Sequence, residues 1–352
     1  MAWLLSRRDF IGSTQKFALA TPFLSLTGCI EDGADDVVSL GGRTMGTTYH
    51  VKLVEPPAGI DTELLAREID DVLARVNQQM STYLPTSELS RFNDAEVESW
   101  TPVSMDTLDV VEQSLRVNAV TNGAFDPTVG PIVDLWGFGP GGSHERVPSD
   151  AEIHAVSDAV GFAKVESQSG AAPMIRKHAA GVRLDFSGVA KGFGVDKVAE
   201  HLTGAGIKDY LVEVGGELRA SGHGPEGRAW RVGIEKPTLT SDDVQHVVDL
   251  GNGEALATSG NYRIFFERDG QRFSHIIDPT RGRPVEHDLA SVSVIANTTL
   301  EADALSTSLL VLGPEEGMAL AERLDIQAYF IVGRDGSFTA KASPAFTRHR
   351  AA

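Results

Sequence analysis

The stretch that most restricts how this chain can fold is Arg183–Leu202, R-L-D-F-S-G-V-A-K-G-F-G-V-D-K-V-A-E-H-L. Leu184 and Phe186 alternate with Asp185, the period of a strand with one buried face. Val189, Phe193, Val198 and Leu202 then fall at helical spacing, so the segment reads strand, tight turn at Ser187-Gly188, helix. Such a turn leaves the first N–H groups of the helix outside its own hydrogen-bond ladder, and they favour an anion. Lys191 stands in the first turn. A cation there opposes the helix dipole and helps an incoming phosphate more than it helps the fold. Gly188, Gly192 and Gly194 permit close approach, although a glycine inside a helix costs it about 1 kcal/mol. Two readings stay open on these residues: a phosphate-binding turn, or a tightly packed connection with a surface lysine. No G-x-x-x-x-G-K-[ST] occurs, so this is not a Walker loop.

A chain of 352 residues with 41% apolar and 23% charged side chains can bury a large core, as one domain or two. Its formal charge of −18 argues against nucleic acid as a partner. A negatively charged cofactor would therefore need locally placed cations. Residues 1–28 read as a signal peptide to be kept out of the fold. Ser6-Arg7-Arg8-Asp9-Phe10-Ile11 has the twin-arginine form, and the run from Phe17 to Leu26 is too short and interrupted to span a bilayer. Leu26-Thr27-Gly28-Cys29 matches a bacterial lipobox, which makes Cys29, the single cysteine, the expected lipidated residue. Several acyl chains would hold such a protein firmly. Residues 29–36 read as an acidic tether, 37–345 as the folded domain and 346–352 as a tail. The expected location is the periplasmic side of a bacterial inner membrane.

Along the domain, Val37 to Leu53 reads as two strands with Gly41-Gly42 as the turn. Asp61 to Met80 is an amphipathic helix with Leu65, Ile69, Val72, Val76 and Met80 on one face. Ser87 caps a short helix, a longer one runs from Ser104 to about Thr121, and Ser149-x-x-Glu152 is a capping box for a helix ending at Gly161. From Phe162 onward strands dominate, broken by the helix after Gly188 and by helices at Thr299–Leu312 and Pro314–Leu324. Asp269-Gly270 and Asp335-Gly336 read as hairpin turns. Helices toward the N-terminal half and mainly antiparallel strands toward the C-terminal half argue α+β. Any inner boundary is expected in the loop from Gly139 to Pro148.

Asp303 and Thr307 lie one helical turn apart, so a carboxylate and a hydroxyl project from one face. Two hard oxygens suit Mg²⁺, which takes few protein groups and leaves positions for substrate phosphates. The same residues also read as an acidic first turn complementing the helix dipole, with Thr307 in the core. His275, in F-S-H-I-I-D-P, offers a side chain that titrates near neutrality and could act as a general base; bonding to Asp278 is the other reading. Met45, Tyr83 and Phe125 could flank a planar ring or simply pin their loops. No Ser-His-Asp order, cysteine-based metal spacing or G-x-G-x-x-G stands out, so serine hydrolases and NAD enzymes recede.

Together these segments resemble the ApbE family, the FAD:protein FMN transferases, from about Arg43 to Leu312. The motifs that carry the resemblance, in order, are Met45-Gly46-Thr47, Met80-Ser81-Thr82-Tyr83 with Ser90-Arg91-Phe92-Asn93, Gly123–Thr128, Asp185–Gly192, Val214–Glu217, Thr258-Ser259-Gly260, His275–Pro279 and Ala302–Thr307. The resemblance implies an α+β fold with a T-fold-like core. It implies Mg²⁺ on Asp303, Thr307 and the carbonyl of Gly188, and FAD held by Met45, Tyr83, Ala124, Phe125, Asp126, Asp185, Lys191 and Ile277. His275 would be the catalytic histidine, with Lys191 beside the phosphates. The implied reaction moves FMN from FAD to a Thr or Ser hydroxyl of an acceptor protein and releases AMP. Acceptors would be extracytoplasmic subunits of Nqr- and Rnf-type electron-transfer complexes. Two alternatives use the same residues: an Mg²⁺-dependent FAD pyrophosphatase, and a lipid-anchored FAD-binding protein without turnover.

Overall fold

Antiparallel pairing organises the molecule. In the computed structural model, which describes residues 37–140, 142, 146–238, 243–334 and 337–351, an eight-stranded sheet runs in the order 37–44, 47–54, 210–214, 217–221, 255–260, 289–296, 327–334, 337–342. Every neighbouring pair in it is antiparallel. The helices are α1 (Thr62–Met80), α2 (Glu88–Asp94), α3 (Met105–Val120), α4 (Gly130–Leu135), α5 (Asp150–Ser157), α6 (Ala190–Gly204), α7 (Thr299–Arg323) and α8 (Pro344–Ala351). The class is α+β, as expected. Residues 35–352 form one compact unit, so the loop after Gly139 separates no domains. The signal, lipobox and tether lie outside the described residues, as does the turn Asp335-Gly336, although its flanking strands pair as a hairpin.

Strand alternation sorts the core into two layers. Ala257, Val294 and Phe330 face one way, into a cluster with α7, while Leu256, Ile295 and Ile331 face the other. That second face is covered by the ribbon 230–235/244–250 and by α8, whose Phe346 is fully buried. The expected tail therefore does not begin at 346, because that residue lies within α8 and its aromatic side chain packs into the core. A smaller cluster of Ile132, Trp136, Phe138, Phe266, Phe273 and Ile277 sits under the hairpin 265–268/271–274.

Local signals set most helices. Asp61 caps α1 by accepting from Glu63 and Leu64 N–H, Ser87 caps α2, Ser104 caps α3, and both halves of the Ser149/Glu152 box are present. α5 stops at Ser157, short of Gly161. The helical run α7 is interrupted at Gly313 (φ 82°), ahead of Pro314, as the two-helix reading anticipates.

Two expectations are corrected. The first hairpin turns at Met45-Gly46, where φ is 44° and 77°, and not at Gly41-Gly42. Those glycines lie inside the strand, Gly41 opposite His50 and Gly42 opposite Tyr49, whose ring fills the space over Gly42. A Cβ on Gly42 would stand 2.6 Å from Tyr49 Cε1. The second correction concerns residues 182–186, which join no strand ladder. Val182, Leu184 and Phe186 are buried as the alternation requires. Their polar backbone is satisfied from elsewhere: Asn93 accepts from Leu184 N–H at 2.7 Å and donates to its carbonyl at 2.9 Å, and Asp185 N–H donates to the Pro127 carbonyl at 2.7 Å.

Candidate active site

The amino end of α6 is the centre of the site. Its flanking residue Val189 provides no side-chain cap. The backbone N–H of Gly192 instead donates to Asp303 Oδ2 at 3.1 Å. The anion that this helix end attracts within the chain is therefore a carboxylate from α7. Close approach makes this possible: a Cβ on Gly192 would lie 2.5 Å from the Thr299 carbonyl oxygen and 2.9 Å from Asp303 Cβ. Asp196, one turn further along α6, closes the same crossing. Its carboxylate accepts from Thr299 N–H, Thr299 Oγ1 and Leu300 N–H, all within 3.0 Å, and pairs with Arg219 at 2.6 Å. It caps α7 from a neighbouring helix.

Lys191 extends from this crossing to Glu217, with Nζ 2.8 Å from Oε1. Glu217 and Asp303 are only 2% and 3% exposed. Burial is the largest influence on all three groups. It pushes the Asp303 carboxyl up, and lifts Glu217 to about 8 despite the neighbouring ammonium. Lys191 loses hydration too, but the negative charges of Asp303 and Glu217 outweigh that loss and hold it protonated. One cation faces two buried carboxylates. Glu217 therefore keeps its proton in the neutral range, and ionising both acids would leave the cluster one positive charge short.

Thr307 stands one turn along α7 from Asp303, half-buried and against Gly188. A Cβ on Gly188 would meet Thr307 Oγ1 at 3.4 Å and Phe125 Cε2 at 3.3 Å. The hydroxyl directions around Thr307 follow from counting protons, since each hydroxyl donates once. Ser306 Oγ donates to the Asp303 carbonyl at 3.0 Å. Ser259 Oγ must then donate to Ser306, 2.8 Å away, and Thr307 must donate to Ser259, 3.0 Å away. Thr307 Oγ1 therefore presents lone pairs only.

This arrangement fits a hard cation. The lone pairs of Thr307, the adjoining backbone of Gly188 and Asp303 Oδ1 (which accepts no hydrogen bond among the described residues) are oxygen donors of the required kind. The protein donor set is thin, and no group of three or more His, Cys, Asp or Glu side chains suited to a metal occurs among the described residues. Mg²⁺ tolerates that better than most ions because it retains water.

Other expected contacts are distributed around this centre. Met45, on the hairpin turn, reaches over α6, where a Cβ on Gly194 would be 2.9 Å from its Cε. Ala124 and Phe125 are buried, with the Phe125 carbonyl held by Asn118 at 2.7 Å. Asp126 is a brace: Oδ1 accepts from Thr128 N–H and Oγ1, and Oδ2 accepts from Phe162 N–H. Asp185 Oδ1 accepts from Ser187 N–H at 2.7 Å, shaping the turn before Gly188. Tyr83 is exposed beside α2.

His275 follows directly on the strand 271–274, whereas Ile277 lies on the short strand 277–278, which pairs with 283–284, and its side chain is buried in the smaller cluster. Asp278 Oδ1 accepts from Thr280 and Arg281, so it is not the acceptor for the His275 Nδ1 contact. That contact is with the Ile264 carbonyl, 3.1 Å away. A carbonyl only accepts, so Nδ1 carries the proton and Nε2 is the basic nitrogen of the neutral ring.

Glu217, Ser259 and Asp196 were given no role on sequence alone. Asp196 carried a usable signal, an acid on the apolar face of a helix. Ser259 and Glu217 carried none beyond their place in short motifs, because their partners are far away in the chain.

Comparison with known proteins shows the family. The ApbE family profile matches residues 45–330. A FAD:protein FMN transferase of Vibrio cholerae is 45% identical over 329 residues, covering 94% of this chain and 96% of the relative. One from Haemophilus influenzae is 43% identical, with coverage of 92% and 94%. Among solved structures, the flavin transferase ApbE of Vibrio cholerae is similar with a TM-score of 0.81 at 44% identity, covering 89% of this chain and 99% of that one. The apo flavinyl transferase ApbE of Pseudomonas stutzeri gives 0.83 at 40% identity, with coverage of 92% and 99%. With its sheet, its α6–α7 crossing and its motifs in order, the chain belongs to the ApbE family of transferase enzymes.

Proposed function

We propose that this enzyme transfers the FMN part of FAD to a Thr or Ser hydroxyl of an acceptor protein and releases AMP. The observation that carries the proposal is the α6–α7 crossing, where a lysine, a helix amino end and a one-sided donor pair, Asp303 and Thr307, meet in a cluster short of positive charge. Relatives named FAD:protein FMN transferase support the choice of substrate. Asp303, Thr307 and the Gly188 carbonyl would hold Mg²⁺, which when bound neutralises charge on phosphate oxygens. Lys191 and the amino end of α6 bind and orient the diphosphate of FAD. The acceptor oxygen forms a bond to the FMN-side phosphorus as the bond from that phosphorus to the bridging oxygen breaks. That oxygen leaves with AMP, and the hydroxyl proton passes to Nε2 of His275. Met45 and Tyr83 would flank the flavin ring, and the acceptors that fit this chemistry are extracytoplasmic subunits of Nqr- and Rnf-type complexes.

The test is incubation with FAD and Mg²⁺, with and without a flavin-free acceptor subunit of that type. AMP should appear in step with denaturation-resistant flavin fluorescence on the acceptor, and EDTA should stop both. Full AMP release without acceptor would identify a pyrophosphatase instead, and undiminished turnover in EDTA would remove the metal from the proposal.

The motif before Cys29 supports anchoring of the enzyme by lipid on the periplasmic side of the inner membrane. No helix among the described residues is long and apolar enough to cross a membrane. Cys29→Ser is expected to move the protein from the membrane pellet to the soluble fraction; retention in the pellet would refute the anchor.

A further inference from the structure

A cavity of about 350 Å³ opens where the strands 255–260 and 271–274 end and the strand 289–296 begins, lined by Asn261, Tyr262, Arg272, Ser274 and His287 among others. Two of its polar side chains lack partners among the described residues. Ser274 is 5% exposed, yet its Oγ has no hydrogen-bond partner there. Both imidazole nitrogens of His287 are buried and equally unpartnered. The ring is seated at the break in α7, where a Cβ on Gly313 would come within 2.7 Å of His287 Cδ2. A neutral imidazole carries one donor and one acceptor, and a hydroxyl can act as either. Leaving such groups buried without partners costs stability that an incoming ligand would restore.

We propose that this cavity receives the acceptor polypeptide on one side of the hydroxyl that is modified. The proposal rests on the flavin-transfer reading above and names the partner subsite of the same enzyme. Three observations select a peptide. An imidazole with an open donor and an open acceptor matches the C=O and N–H of a backbone amide. The lining also offers a diphosphate little positive charge: its one guanidinium, Arg272, donates to the Asn261 carbonyl and lies over the Phe265 ring, which suits an uncharged chain better than FAD.

The third observation is position. Ser274 immediately precedes His275, the proposed base, and Tyr262 follows closely on Ser259, which bonds Thr307. Along α7 the step from Thr307 to Gly313, and so to His287, is about 9 Å at the helical rise. Two or three extended residues span that length. A hydroxyl presented to the phosphorus near Thr307 would thus place its flanking residues in the cavity.

The experiment measures KM for the flavin-free acceptor subunit and, separately, the affinity for FAD by flavin fluorescence, in wild type, Ser274→Ala and His287→Leu. We expect KM for the acceptor to rise about threefold to tenfold in each variant, the effect of one lost hydrogen bond. FAD affinity should hold, and the thermal midpoint should not fall, because each change removes a polar group that has no partner. Ser274→Ala carries the test if His287→Leu does not fold. An unchanged acceptor KM alongside normal wild-type transfer would overturn the subsite alone. FAD affinity falling in step with acceptor KM would assign the cavity to FAD and overturn it as well. A wild type that flavinylates no acceptor would overturn the transferase reading and the subsite together.

Discussion

Asp303→Asn is expected to lower FMN transfer by at least about a thousandfold, equivalent to roughly 4 kcal/mol of transition-state stabilisation. Excess Mg²⁺ should restore little, because the lost group is the only carboxylate in the donor set. The fold should survive. Asparagine keeps an oxygen for the Gly192 N–H and leaves Lys191 and Glu217 as a one-to-one pair, so the second buried acid of the cluster is gone. Without metal, the thermal midpoint of the variant should equal or exceed that of wild type. Added Mg²⁺ should then raise the wild-type midpoint and leave the variant's unmoved, since only a state that binds the ion is stabilised by it. Turnover within tenfold of wild type, or an equal response to Mg²⁺ in both proteins, would exclude Asp303 as a ligand.

Gly192→Ala should be the most damaging single-methyl change in the site. Helix propensity alone favours alanine by about 1 kcal/mol. Against that, the new Cβ would stand 2.5 Å from the Thr299 carbonyl oxygen, a backbone atom at the start of α7 that cannot swing aside. Overpacking of this kind costs about 1–3 kcal/mol, occasionally more, so the cost wins. Separation of the two helices would also pull Asp303 off the amino end of α6. We expect a net loss of about 2 kcal/mol in denaturant unfolding, with transfer activity falling further than stability explains. Gly194→Ala is the control. Its closest neighbour is the flexible end of Met45 at 2.9 Å, so unfolding should change by less than about 1 kcal/mol. Equal effects at the two positions would show that the crossing distance is not the constraint.

Much of this protein is legible in one dimension where the cause is local. The periodicity of α1, the caps at Ser87, Ser104 and Ser149, and the Asp269-Gly270 turn each depend on neighbours within a few residues. The failures share one physical origin. Gly41-Gly42 looks like a turn until the Tyr49 ring occupies the space over Gly42, and Leu184 to Phe186 looks like a strand until Asn93 takes the backbone bonds that a neighbour would have supplied. In both cases a side chain outside the local window competes for the same space or the same donors.

The site divides in the same way. Sequence alone determined that α6 begins in a glycine-rich turn beside a lysine, and that Asp303 and Thr307 share one face of α7, because helix geometry repeats every turn. Only the tertiary structure decided what those groups do to one another. Gly192 and Asp303 are 111 residues apart, and they meet because α6 and α7 cross where no Cβ intervenes. That crossing sets one lysine against two buried carboxylates and, through Ser259 and Ser306, commits the proton of Thr307 to a neighbouring hydroxyl. Charge balance and proton direction depend on which surfaces are pressed together, and no local pattern of residues specifies that.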